Sequence, residues 1–131
     1  MITILVDHNI EGQALLLAGT LDAEGWLDLL PLRFVRFTDV GLSYSSSDRD
    51  VWRIVQSQQM YLLTDNRNRD GIDSLEQTIH DENQPHSLPV ITIGRSTRVA
   101  ERIYREACAA RLLEIVLYPD SSRGVGRLFI P

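Results

Sequence analysis

Apolar and polar positions along the chain follow two different periods, and the change from one to the other marks out strands and helices. Ile2-Thr3-Ile4-Leu5-Val6 is apolar or β-branched at every position. That is the mark of a strand covered on both faces, as strands of a parallel sheet are. Met60 to Thr64 and Val90 to Ile93 repeat the pattern. Arg33-Phe34-Val35-Arg36-Phe37 mixes polar with apolar positions and predicts a strand nearer the sheet edge. Between these runs the apolar residues recur at helical spacing. One such stretch extends from Ile10 to about Leu30; Gly19 and Gly25 predict a break or two short helices, and Pro31 closes it. Another opens at Ser47, a favourable N-cap, with Asp48 and Asp50 in its first turn and Val51, Trp52 and Val55 on one core-facing side. A short helix is predicted from about Ser74 to Asn83. A long one runs from about Thr97 to Glu114 and feeds the apolar run Ile115 to Tyr118. Thr38 to Ser47, Asn66 to Gly71, Gln84 to Ser87 and Pro119 to Gly126 read as loops, and Arg127 to Ile130 as an irregular or edge segment.

Strands alternating with helices predict an α/β fold: a three-layer α/β/α arrangement with a mostly parallel central sheet. The 131 residues suit one domain spanning positions 1–131, with no internal repeat, low-complexity tract or linker. Apolar residues make up 44% of the chain, and no stretch is apolar for long enough to span a bilayer. No membrane association is expected. The chain begins directly on a strand-like run, without the basic and apolar regions of a signal peptide, and carries a single cysteine, Cys108. Both features point to a cytoplasmic protein. Cys108 lies among alanines on the long helix and reads as a small buried hydrophobe.

The formal net charge of −5 counts against a protein that coats nucleic acid, yet, histidines aside, all thirteen basic residues are arginine. Arginine grips phosphates and carboxylates in two-point fashion. A lysine-poor composition is the plainer account of that bias. An acidic total with its acids gathered in one cleft is also what a divalent-cation site produces.

Two of the buried-type strands end on aspartate, Leu5-Val6-Asp7 and Leu63-Thr64-Asp65. Open α/β sheets bind ligands at the carboxyl ends of their strands, so adjacent strands would bring these carboxylates into one cleft. Asp48 and Asp50, at the start of the helix that feeds the second strand, would join its rim. Such a cluster supplies the oxygen ligands that Mg²⁺ or Mn²⁺ prefers. The plainer reading is that aspartate often follows a strand as a turn residue. Other aspartate-based chemistries fit less well. Position 9 is Asn where a phosphatase of the haloacid-dehalogenase type needs a second Asp, and a phosphoryl receiver needs a late lysine that this chain lacks. There is no glycine-rich phosphate loop, and three scattered histidines with one cysteine make no zinc site.

Leu5-Val6-Asp7-His8-Asn9-Ile10, then Ser47-Asp48 opening a helix, then Tyr61-Leu62-Leu63-Thr64-Asp65-Asn66 is similar to the PIN-like domain family of small bacterial proteins. Those resemble, in shortened form, the ribonuclease toxins of toxin–antitoxin pairs. The resemblance covers roughly the first 75 positions. It implies a nuclease that uses Mg²⁺ or Mn²⁺ to cut RNA, with Asp7, Asp48 and Asp65 as metal-binding and catalytic residues and Asn9 supporting Asp7. Many members follow the Thr-x-Asp pattern closely with Asp-Phe, whereas here the chain continues Asn66-Arg67-Asn68-Arg69-Asp70-Gly71. The fourth acid is then Asp70 or Asp73, or Asn66 stands in without charge. The same resemblance implies an antitoxin partner and a homodimer, or, if the fourth position is lost, a catalytically silent module that binds RNA or protein. Arg67 and Arg69 flank the site and either hold the scissile phosphate or simply face solvent. His8 is expected to point away from Asp7, since successive side chains at a strand end diverge. Arg95, Arg98, Arg102 and Arg105 would share one helical face, with Glu101 and Glu106 near enough to pair with them.

Overall fold

The computed structural model describes all 131 residues. Five strands, β1 (Ile2–Val6), β2 (Leu32–Val35), β3 (Tyr61–Thr64), β4 (Val90–Ile93) and β5 (Arg127–Ile130), form one sheet in the order β2-β1-β3-β4-β5. Every neighbouring pair is parallel. The helices are α1 (Glu11–Ala23), α2 (Trp26–Leu29), α3 (Asp48–Ser57), α4 (Leu75–Glu82) and α5 (Arg102–Leu117). None is long and apolar enough to cross a membrane.

The continuous apolar character of β1, β3 and β4 has the expected cause: these three are the central strands, and both of their faces are covered. Side chains alternate between faces along each strand. Ile4, Val6, Leu63, Ile91 and Ile93 pack against α1 and α5, together with Leu17, Leu21, Leu112 and the wholly buried Cys108. Burial pushes the Cys108 thiol up to about 11, so it is an inert packing residue. On the other face Leu5, Leu62 and Val90 meet Val51, Trp52 and Val55 of α3 and Leu75 of α4. The architecture is therefore a three-layer α/β/α sandwich around an all-parallel sheet.

The boundaries differ from the sequence expectation in four places. Ile115 to Leu117 continue α5, and Ile115 and Val116 extend its buried face onto the sheet. The outer strand is instead β5, a full parallel partner of β4 whose Ile130 is wholly buried. The edge strand β2 stops at Val35, and Phe37 lies in a 3-10 turn. The long helix does not begin at Thr97: a 3-10 turn spans Ser96–Ala100, and Glu101 takes extended angles (φ −81°, ψ 125°) before α5 starts. Arg95 and Arg98 thus precede the helix and share no face with Arg102 and Arg105. Trp26 is half-buried, packed against the edge of the core.

The strand order reverses direction beside β1. From β1 the chain passes outward to β2, then crosses back to β3 on the other side. A doubly wound sheet leaves a crevice at such a switch point, above the carboxyl ends of the two diverging strands. Asp7 and Thr64 stand there.

Candidate functional site

Register places the site residues. Val6 of β1 pairs with Leu63 of β3, and the Asp7 N–H donates to the Leu63 carbonyl at 2.9 Å. Asp7 is therefore level with Thr64. Leu5 and Leu62 face the α3/α4 layer, so Asp7 and Thr64, each two residues further on, face it too. The wholly buried Thr64 hydroxyl donates to Asp7 Oδ2 at 2.7 Å. Asp7 also caps the 3-10 turn His8–Ile10, its Oδ1 accepting the Asn9 N–H at a long 3.4 Å.

Asp48 comes to the same crevice from α3. Ser47 caps that helix by accepting the Asp50 N–H, which leaves Asp48 free to turn toward the sheet. Asp48 Oδ2 accepts from Asn66 Nδ2 at 3.0 Å and from the Leu75 N–H, at the start of α4, at 3.2 Å. The carboxylate thus sits at two helix N-termini, where backbone dipoles favour negative charge. Asp7, Asp48, His8, Asn9, Tyr44 and Asn66 line a cavity of about 160 Å³, with Val51, Leu62 and Leu75 among its apolar walls.

His8 departs from its expected orientation. The chain enters a 3-10 turn directly after Asp7, so strand alternation no longer applies there. The imidazole lies stacked on Tyr44 (centroids 4.7 Å apart, 11° between planes), edge-on to Phe37, with Nδ1 3.4 Å from Asp7 Oδ1. Tyr44 is a lining residue the sequence reading passed over. An isolated aromatic in the serine-rich stretch Ser43-Tyr44-Ser45-Ser46-Ser47 was the available signal.

Asp65 does not line this cavity. It follows Thr64 by one residue, so the pleat turns it to the α1/α5 side, where Oδ2 accepts from Ser96 Oγ at 2.7 Å. Neither candidate for the fourth acid lines the cavity. Asp70 is exposed on the loop, and Asp73 is held by Arg49 at 3.0 Å; Asn66 alone of the three reaches the pocket. The loop itself is stitched by side chains. Thr64 Oγ1 accepts the Asn66 N–H, Asn66 Oδ1 the Asn68 N–H, and Asn68 Oδ1 the Asp70 N–H, at 2.8 to 3.0 Å. Such local bonds let asparagine substitute for backbone pairing in turns. Arg67 and Arg69, between these anchors, are exposed and engage nothing.

Arg127, the first residue of β5, supports the site from behind. Nη1 donates to the Asn66 carbonyl (2.8 Å) and to Thr92 Oγ1 (2.6 Å), and Nε donates to Glu76 Oε1 (2.7 Å). Nη2 is also close to Glu76, as a charge contact poorly aligned for a hydrogen bond. One guanidinium thereby ties down Asn66 and the first turn of α4, the two elements that orient Asp48.

Asp48 Oδ1 accepts no hydrogen bond, and the contacts to Asp7 Oδ1 are long, so each carboxylate keeps an oxygen for a ligand. No group of three or more histidine, cysteine, aspartate or glutamate side chains is arranged to hold a metal ion. The donor set fits a hard ion that keeps most of its waters, as Mg²⁺ does with one or two carboxylates. It does not fit one caged by protein ligands. No protein-family profile, curated protein or solved structure matches this chain.

Proposed function

We propose that the protein is a metal-dependent nuclease of the PIN-like type that cuts RNA, its Mg²⁺ or Mn²⁺ ion held by Asp7 and Asp48. One observation carries the proposal. Two carboxylates from different elements enter a single cavity at the sheet's switch point, each oriented by a donor and each with an oxygen to spare. Thr64 and Asn66 orient the two acids, Asn9 closes the turn beside Asp7, and Arg67 and Arg69 are available to hold the phosphate. When bound, such an ion neutralises charge gathering on a phosphodiester and makes a coordinated water acidic enough to attack. The resemblance ranks Asp65 beside Asp7 and Asp48, whereas its contact with Ser96 ranks it behind them. A cytoplasmic location, an antitoxin-type partner and a homodimeric state belong to the same proposal and rest on the resemblance and sequence features alone.

The second reading is a catalytically silent PIN-like module that binds RNA or a protein. Its support is the orientation of Asp65 together with the exposed position of Asp70. Cleavage of single-stranded RNA by the purified protein with Mn²⁺ or Mg²⁺, and its arrest by EDTA, separates the two. Asp7→Asn and Asp48→Asn should each lower the rate by roughly a hundredfold or more, because a lost ligand weakens the ion that stabilises transition-state charge. Asp65→Asn should keep more activity than either. Thermal melts should rise with Mn²⁺ for the native chain and not for Asp7→Asn. A folded protein that binds Mn²⁺ yet leaves RNA and DNA intact would establish the silent module instead.

A further inference from the structure

Of the thirteen arginines, ten hold a carboxylate, hydroxyl or carbonyl with their guanidinium, and three, Arg67, Arg69 and Arg95, hold none. The three are not scattered. Arg67 and Arg69 follow β3, Arg95 follows β4, and all are exposed at the carboxyl edge of the sheet. A chain of net charge −5 thus keeps the three guanidinium groups that engage nothing else on the edge that carries Asp7. On the opposite side of the cavity, after β2, stands Tyr44. The residue is 56% exposed although one ring face lies on His8, which leaves ring surface for a ligand. Along this edge the aromatic ring lies beside the end of β1, and the arginines follow β3 and β4. From β1 to β4 is roughly 10 Å, two strand spacings.

We infer that this edge is a track for a single nucleic-acid strand, with an unstacked base on Tyr44 and the backbone phosphates that follow on Arg67, Arg69 and Arg95. The role of the cavity between them rests on the nuclease reading; the track itself does not. Aromatic rings take bases of any sequence, but only bases already out of a duplex stack. Guanidinium groups with no internal partner need no ion pair broken before they grip phosphate. Arg95 lies outside every motif of the sequence resemblance and makes the strip longer than a single phosphate. Asp70 is an exposed carboxylate on the same loop and opposes the track.

The test is equilibrium binding of a fluorescein-labelled single-stranded RNA 12-mer in EDTA, so that neither metal nor cleavage enters. Tyr44→Ala should weaken binding roughly tenfold without changing its salt dependence, and Tyr44→Phe should restore it. Joint replacement of Arg67, Arg69 and Arg95 by alanine should weaken binding and flatten the slope of log K against log salt by about two units, near 0.7 for each phosphate released. Replacing Arg36, Arg102 and Arg111, which are paired with acids, removes the same formal charge and should leave that slope unchanged. Asp70→Asn should tighten binding. A duplex of the same sequence should bind more weakly than the single strand. Equal binding of duplex and single strand, equal competition by polyglutamate, or indifference to both Tyr44→Ala and the arginine replacement would overturn the track. Binding that behaves as stated in a protein that never cleaves would keep the track and remove the nuclease. Cleavage whose KM ignores all four positions would do the reverse.

Discussion

The hydroxyl of Thr64 donates to Asp7 Oδ2 at 2.7 Å and accepts the Asn66 N–H at 3.0 Å. It is wholly buried, so water cannot replace either bond. Valine has nearly the same shape and neither function. Thr64→Val should therefore destabilise the fold by about 2 kcal/mol, the scale for losing a bond to a charged group, read as a lower urea midpoint at unchanged m. On the metal reading it should also shrink, without abolishing, the rise in melting temperature that Mn²⁺ produces. Asp7 would keep its charge and lose its fixed orientation. Thr64→Ser, which keeps the hydroxyl, should retain most of the Mn²⁺ response. The contrast between the two variants separates the hydrogen bond from the packing.

At the scale of elements, one side chain of α3 gathers most of the ion pairs toward α4 and the loop before it. Arg49, only 14% exposed, reaches Asp73, Asp81, Glu82 and the Ile72 carbonyl, and Arg53 adds a second hold on Glu82. Arg53 and then Arg49 hold the Glu82 carboxyl below its usual range, and Arg49 followed by Gln77 does the same for Asp81. A carboxyl depressed in the folded state contributes stability that is present above its unfolded pKa and is lost as pH falls through the folded value. The native melting temperature should thus decline as pH drops below about 4, where unfolded carboxyls titrate. Arg49→Gln should start lower at pH 7 and decline less, so the two curves converge in acid. Parallel curves across that range would show that the hub carries no charge-dependent stability.

Across the whole molecule, the last strand closes both the sheet and the site. Arg127 reaches Asn66 and Glu76, 61 and 51 positions away in sequence, and so couples the C-terminus to the residues that orient Asp48. The chain makes room for that strand with a turn through Gly124 and Gly126, at φ +82° and +91°, where a Cβ would strain the backbone. Arg127→Met should lower stability and also weaken the Mn²⁺-induced rise in melting temperature, since Asn66 and the start of α4 lose their support. Ile130→Ala removes a wholly buried side chain from the same strand and should cost about 2 to 4 kcal/mol. Its Mn²⁺ response should persist. If the two variants respond alike to Mn²⁺, Arg127 serves the strand alone.

The parts of this protein legible in its sequence are those fixed by local chemistry and by burial on two faces. Continuous apolar runs identified β1, β3 and β4 as central strands, and Ser47 with its acidic first turn marked the start of α3. Asp7, Asp48 and Asn66 could be named because each ends or opens such an element. Ile115 to Leu117 did not announce themselves as helix, since the short apolar run Ile115 to Tyr118 fits either period. β5 is equally short, begins with arginine and is recognisable as a strand only once β4 lies beside it. The arrangement of the site depended on tertiary structure for the same reason. Asp7 and Asp65 look equivalent in sequence, each closing an apolar run. Side chains alternate with a period of two, however, and pairing Val6 with Leu63 gives Asp7 the parity of Leu62 and Asp65 that of Leu63. Composition decided that carboxylates stand at the strand ends; only the register between segments some 57 positions apart decided which of them share a cavity.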